Sequence, residues 1–138
     1  MNTHQVETQH IKDLSFNSKI DRYSISMDTT DPEKTVLAGP SPKKLMLASL
    51  AGCSGIDVVS ILNKMKVHFS DFDIRVTGVL SDDHPVIYKE VSMAYSIKIN
   101  EADQQKMEKA VQLSQEKYCG VSAMFKSFAK VTWSIEFL

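Results

Sequence analysis

What this chain lacks narrows its identity quickly. It carries only two cysteines, Cys53 and Cys119, too few for the disulfide scaffold of a small secreted domain. It has no C-x-x-C and no H-E-x-x-H, and His4, His10, His68 and His84 are scattered, so no metal-ligand spacing is present. Neither sign of charge prevails: 16 Lys+Arg against 17 Asp+Glu give a net charge of −1 and a pI of about 6.4, leaving no basic footprint for nucleic acid. Five glycines and four prolines form no linker-like run, and there is no internal repeat or low-complexity tract. The opening MNTHQVETQH lacks the charged-then-apolar layout of a signal peptide. The most apolar stretch, Leu45 to Cys53, is shorter than the ~20 residues a membrane span needs. These absences lead to the expectation of a soluble, cytoplasmic protein with no nucleic-acid or membrane partner, whose two thiols stay reduced at rest.

What is present suits one domain, residues 1–138. A chain of 138 residues with 43% hydrophobic content buries roughly 68–70% of its unfolded surface, enough for a core without staples. Tyr23, Ile25 and Met27 alternate as a half-buried strand requires. Asp28 to Lys34 and then Gly39-Pro-Ser-Pro are turn chemistry. A helix follows over about 42–66, with Ser41 as N-cap and Pro42 at the first helical position. Its interior, LMLASLAGCSGIDVVSIL, is apolar or small on nearly every side, with Asp57 its one charge. A helix apolar all round is buried all round, wrapped by sheet or by a second subunit.

Two strands come next. Phe72, Ile74, Val76, Gly78 and Leu80 share one face of the first, and Val91, Met93, Tyr95, Ile97 and Ile99 one face of the second. Ser81 to Pro85 reads as the hairpin between them. Asn100 is placed to cap a helix over 101–117, with Met107, Ala110, Val111 and Ser114 on one side. A short helix over 121–128 and a strand carrying Val131, Trp133, Ile135 and Phe137 complete an α+β order.

The two cysteines occupy special backbone positions. Cys53 lies between Gly52 and Gly55 in a helix interior, where each glycine costs ~1 kcal/mol relative to alanine. Either another backbone packs closely there, or the missing side chains leave a slot by which a small molecule reaches the sulfur. Cys119 sits at the seam between two helices. There it fills space beneath Tyr118, or starts the second helix so that the N–H groups of Gly120, Val121 and Ser122 favour its thiolate. Taken together, the positions favour a redox pair. Asp57 is one turn beyond Cys53 and would disfavour a thiolate if it shared that environment, so a hydrogen bond or a cation elsewhere is expected to hold it. Lys43 and Lys44 stand in the first turn of the helix, Lys44 about 14 Å along its axis from Cys53.

GPSPKKLMLASLAGCSGIDVVSILNKMK resembles the central-helix motif of the OsmC/Ohr (osmotically inducible protein C-like) family, in which a Pro-led helix reaches a small-small-Cys step. LSQEKYCGVSAM is similar to that family's second cysteine motif, and the GIDVVSIL wording is most similar to the smaller OsmC-like branch. The resemblance implies an OsmC-like fold: antiparallel sheets wrapped around a long central buried helix, in an intertwined homodimer. It also implies a thiol-dependent peroxidase. Cys53 would attack a small organic hydroperoxide and become a sulfenic acid. Cys119 would resolve it to a disulfide, and a dithiol reductant would restore both thiols, with no metal, flavin or haem. The family's well-studied branches pair a carboxylate just after the helix-opening proline with an arginine that steadies the thiolate. Here Lys43 and Lys44 stand in its place, and Arg22 is the only arginine before Cys53. Two alternatives therefore accompany the peroxidase: a dimeric OsmC-like module that binds a small apolar ligand without catalysis, and a slow thiol redox sensor.

Overall fold

The structure is a computed structural model that describes residues 2–33 and 36–138. Lys34, the last residue of the expected turn segment, lies outside them. The chain divides into two compact units, Met1–Met46 and Leu47–Leu138.

The first unit is an antiparallel meander of β1 (Glu7–Lys12), β2 (Ser15–Ile20) and β3 (Tyr23–Met27). Asp13 and Asp21 make its tight turns at φ of 50° and 56°, a left-handed conformation that Asp adopts more readily than most residues. The strand over Tyr23–Met27 is where the alternation places it, but β1 and β2 carry no such signal. Every residue of β1 is exposed, so no buried face imposes a period of two on ETQHIK. Asp28 is buried and pins the loop that follows, its carboxylate accepting from the N–H groups of Thr29 (2.8 Å) and Ala38 (3.0 Å).

Helix α1 spans Pro42–Lys64 and carries the chain into the second unit. The Ser41 carbonyl accepts its first hydrogen bond from Leu45 N–H, at 3.2 Å. A Schellman motif ends it: Lys66, at φ 58°, donates to the Asn63 carbonyl and Val67 to that of Leu62, both at 3.0 Å. Val67 and Leu62 are both buried in the core, the apolar contact that accompanies this cap.

Within one chain α1 is buried along a single stripe, Leu50, Ser54, Val58 and Leu62, rather than all round. Its other side, including Ile56 at 72% exposure, faces outward. Over 23 residues it is long and apolar enough to cross a membrane by length and composition, so the Leu45 to Cys53 stretch understates it. The buried stripe, however, joins β5 and α2 in one core, as the central helix of a globular domain does. Each Leu or Val so buried contributes roughly 1.5–3 kcal/mol.

The rest of the second unit is a three-stranded sheet in the order β4 (Phe69–Leu80), β5 (Tyr88–Ile99), β6 (Lys130–Phe137). In the central strand Val91, Met93, Tyr95 and Ile97 are buried and Ile99 half-buried, the face read from the alternation, and Tyr88 is buried as well. A bulge at Asp71, φ 50°, shifts the β4 register between Ser70 and Asp73. The antiparallel expectation holds for every pair but one: β6 lies parallel to β5, because the helical connection between them crosses over before the chain returns.

That connection is not one continuous helix over 101–117. It is a 3₁₀ turn (Glu101–Asp103), α2 (Gln104–Leu113) and a π turn (Ser114–Tyr118), followed by α3 (Gly120–Lys126). Asn100 is extended, as a cap should be, but its side chain makes no capping hydrogen bond. Met107, Ala110, Val111 and Ser114 are all fully buried, as their shared side requires.

Candidate active site

The π turn positions the second thiol. Its closing bond runs from Cys119 N–H to the Ser114 carbonyl, at 2.8 Å, widening the last turn before the chain breaks. Cys119 then becomes the N-cap of α3, with extended backbone and a sulfur that accepts from Ser122 N–H at 3.2 Å. Cys53, from the buried-to-exposed flank of α1, meets it. The two sulfurs and an Asp57 carboxylate oxygen all lie within 4.8 Å of one another. Both cysteines are free thiols; Cys53 is half-buried and Cys119 is buried.

Asp57 does both things weighed for it. Ser114 Oγ donates to its Oδ2 at 3.0 Å, so a hydrogen bond does hold it, yet it shares the thiols' environment as well. Lys43, Lys44 and Arg22 are exposed. Among the described residues no cation figures in the electrostatics of Cys119. Burial pushes this thiol from an ordinary value near 9 up to about 11. The Ser122 N–H pulls the other way, while Cys53 and Asp57 add to the rise. Of the two readings of Cys119, the thiolate favoured by a helix N-terminus is the one that gives way: the cap geometry is present, but the cost of burying a charge outweighs it.

A linkage follows. A thiol whose folded pKa is raised stabilises the fold below its unfolded value and loses that contribution as pH rises to the folded one. Urea unfolding followed from pH 8 to 11 should thus show stability falling above about pH 9, by on the order of 2 kcal/mol, and Cys119→Ser should flatten the decline. A decline unchanged in the variant would place its origin elsewhere.

The surroundings of the thiols hold a group of residues that the sequence reading did not single out. Ser54, Tyr95, Ser114, Gln115 and Ser122 are buried and joined side chain to side chain. Ser54 Oγ lies 2.5 Å from Tyr95 Oη and 2.9 Å from Ser114 Oγ. Gln115 Nε2 donates to Tyr95 Oη at 2.8 Å, and Ser122 Oγ donates to Gln115 Oε1 at 2.7 Å. Once the Ser114 proton is given to Asp57, an order follows for the others. Ser114 donates to Asp57, Ser54 to Ser114, Tyr95 to Ser54, and Gln115 to Tyr95. The chain thus begins at the Cys119 cap, through Ser122, and ends on the carboxylate beside the same thiols. Lys126 Nζ also donates to the Gln115 carbonyl, clamping the π turn from outside.

At neither glycine beside Cys53 does another backbone pack closely: a Cβ at Gly55 would stand 3.2 Å from the end of the Ile74 side chain, Cδ1, and one at Gly52 would meet nothing within 4 Å. A cavity of about 510 Å³ opens beside Asp57, walled by Ile61, Met65, Leu113 and Tyr118, with Lys64 and Ser60 at its polar edge.

A two-sheet α+β chain with one thiol on its central helix and another capping a later helix has the fold and paired cysteines of one class of protein. A model of the OsmC-like protein family matches residues 30–134, and the chain belongs to that family. Among its relatives is Protein YhfA of Escherichia coli (strain K12), 29% identical over 133 residues, or 96% of each chain. A hypothetical protein from Aquifex aeolicus VF5 has the same fold at a TM-score of 0.82 and 32% identity, covering 100% of this chain and 99% of its own. The organic hydroperoxide resistance protein OhrB of Bacillus subtilis superposes at a TM-score of 0.65 with 16% identity, over 98% of each chain, a likeness of fold alone.

Proposed function

We propose that the chain acts as one OsmC-like domain, 1–138, and as a thiol-dependent peroxidase of small organic hydroperoxides in the cytoplasm. The observation that carries this reading is the asymmetry of the two thiols. Cys53 is half-exposed, so a peroxide meets it first, while Cys119 is buried, held protonated and within 4.8 Å. The Cys53 sulfur attacks the terminal, hydrogen-bearing oxygen of the hydroperoxide; the O–O bond breaks, the alkoxide oxygen leaves as the alcohol with the thiol's proton, and Cys53 becomes a sulfenic acid. Cys119 sulfur then attacks Cys53 sulfur, an S–S bond forms, and the sulfenic oxygen leaves as water with the Cys119 proton. A dithiol of unspecified identity reduces the disulfide.

Turnover of an organic hydroperoxide with excess dithiol tests the reading. Wild type should consume many equivalents and Cys53→Ser none; equal consumption by both would remove Cys53 from the chemistry. The carboxylate beside the thiols favours the slow-sensor alternative, which predicts one oxidation without turnover.

The second subunit belongs to the same reading. Ile56, at 72% exposure, lies on the side of α1 that the chain leaves uncovered, where a broad concavity is lined by Gly52, Val59, Phe72 and Ile74. In the first unit Tyr23 is 66% exposed and Phe16 41%. A homodimer would cover such surfaces. Ile56→Asp should accordingly shift the sedimenting species from dimer toward monomer; a wild-type monomer would refute the assembly.

A further inference from the structure

We propose that Cys53, Asp57 and Cys119 form a three-ligand site for a thiophilic divalent cation of the zinc class. The inference goes beyond the peroxidase reading and does not rest on it. It begins from a difficulty which that reading leaves: a carboxylate against two thiols opposes the thiolates a peroxidase uses. Yet Asp57 is fixed there, its Oδ2 held by Ser114 at the end of a fully buried chain of hydroxyls. For a cation, the same placement is favourable.

The geometry is near that of a bound ion. Zn–S bonds of about 2.3 Å and Zn–O bonds of about 2.0 Å in a tetrahedron set ligand atoms about 3.5–3.8 Å apart. The three atoms here are already within 4.8 Å of one another, so they need close by only about 1 Å. The outer partners are in place too: Ser114 orients the carboxylate and Ser122 N–H points at the Cys119 sulfur. Three protein ligands leave a fourth position for a water or another small ligand. Sulfur binds such an ion as thiolate, so any thiol proton is displaced to solvent as the ion enters. The ion is no cofactor of peroxide reduction. It competes for the same sulfurs, and their oxidation to a disulfide removes its site.

The test titrates reduced full-length protein with Zn²⁺ against a chromophoric chelator, with no peroxide present. Wild type should take one ion per chain. Cys53→Ser and Cys119→Ser should each lose more than the ~10–100-fold that removal of an outer partner costs, and Ser114→Ala should fall within that range. Asp57→Asn should also bind more weakly. Wild-type protein with both thiols alkylated should give the cysteine result without any substitution. Titration with Cd²⁺ should produce a sulfur-to-metal charge-transfer absorption that the alkylated protein lacks. No binding, equal affinity after alkylation, or an affinity unchanged by Asp57→Asn would overturn the proposal. Any of these leaves the peroxidase reading standing, and a failure of peroxide turnover leaves the metal site standing.

Discussion

Cys119→Ser is expected to stop the proposed catalytic cycle after one step. Attack on the hydroperoxide should proceed, because Cys53 is the half-exposed thiol, and the protein should accumulate as the sulfenic acid, trapped by a 1,3-dicarbonyl probe at Cys53. Disulfide should be absent, and turnover with dithiol should fall to whatever rate the reductant achieves by attacking the sulfenic acid directly. In wild type the resolving step should carry the signature of a reluctant thiol. With its pKa raised by burial to about 11, Cys119 is held as the thiol at pH 7, and resolution should quicken as pH rises through the neutral range. The folded thiols are already within 4.8 Å, so the pH dependence reports deprotonation rather than a search. Turnover undiminished in the variant, or resolution independent of pH, would mean that Cys119 is not the resolving thiol.

Gln115→Ala should be among the most damaging single changes to stability. Gln115 is buried and serves three groups at once: Nε2 donates to Tyr95 Oη at 2.8 Å and lies 3.0 Å from Met93 Sδ, while Oε1 accepts from Ser122 Oγ at 2.7 Å. Truncation leaves a fully buried Ser122 hydroxyl without its acceptor and a cavity beside it. Together these should cost about 2–5 kcal/mol, a large share of the ~5–15 kcal/mol that holds a domain of this kind folded. A fall in the urea midpoint with an unchanged slope is the expected result. Gln115→Met restores volume but not the hydrogen bonds and should recover only the cavity part. Full recovery with Met would show that the polar chain contributes little beyond packing.

The contrast between what the residues announced and what they concealed has physical causes. The core face of β5 and the buried side of α2 were legible because each buries one face and so imposes a period on the sequence. β1 and β2 bury almost nothing in the single chain and impose none. Cys53 and Cys119 stood out by backbone position, between helix-interior glycines and at a helical seam, and the structure brings them together. The polar chain was half visible. Ser114 falls on the buried side of the helix expected over 101–117, and Tyr95 on the core face of β5. Which hydroxyl meets which depends on the π turn, whose wider hydrogen bond from Cys119 to Ser114 has no sequence period. Likewise the cap geometry at Cys119 was readable and its consequence was not, since burial outweighs the Ser122 N–H.

Intact-mass measurement of reduced protein after one equivalent of an organic hydroperoxide tests the central claim most directly. The account predicts a rapid loss of about two mass units as the Cys53–Cys119 disulfide forms, abolished in Cys53→Ser. A mass that stays constant for minutes while both thiols remain titratable would contradict it.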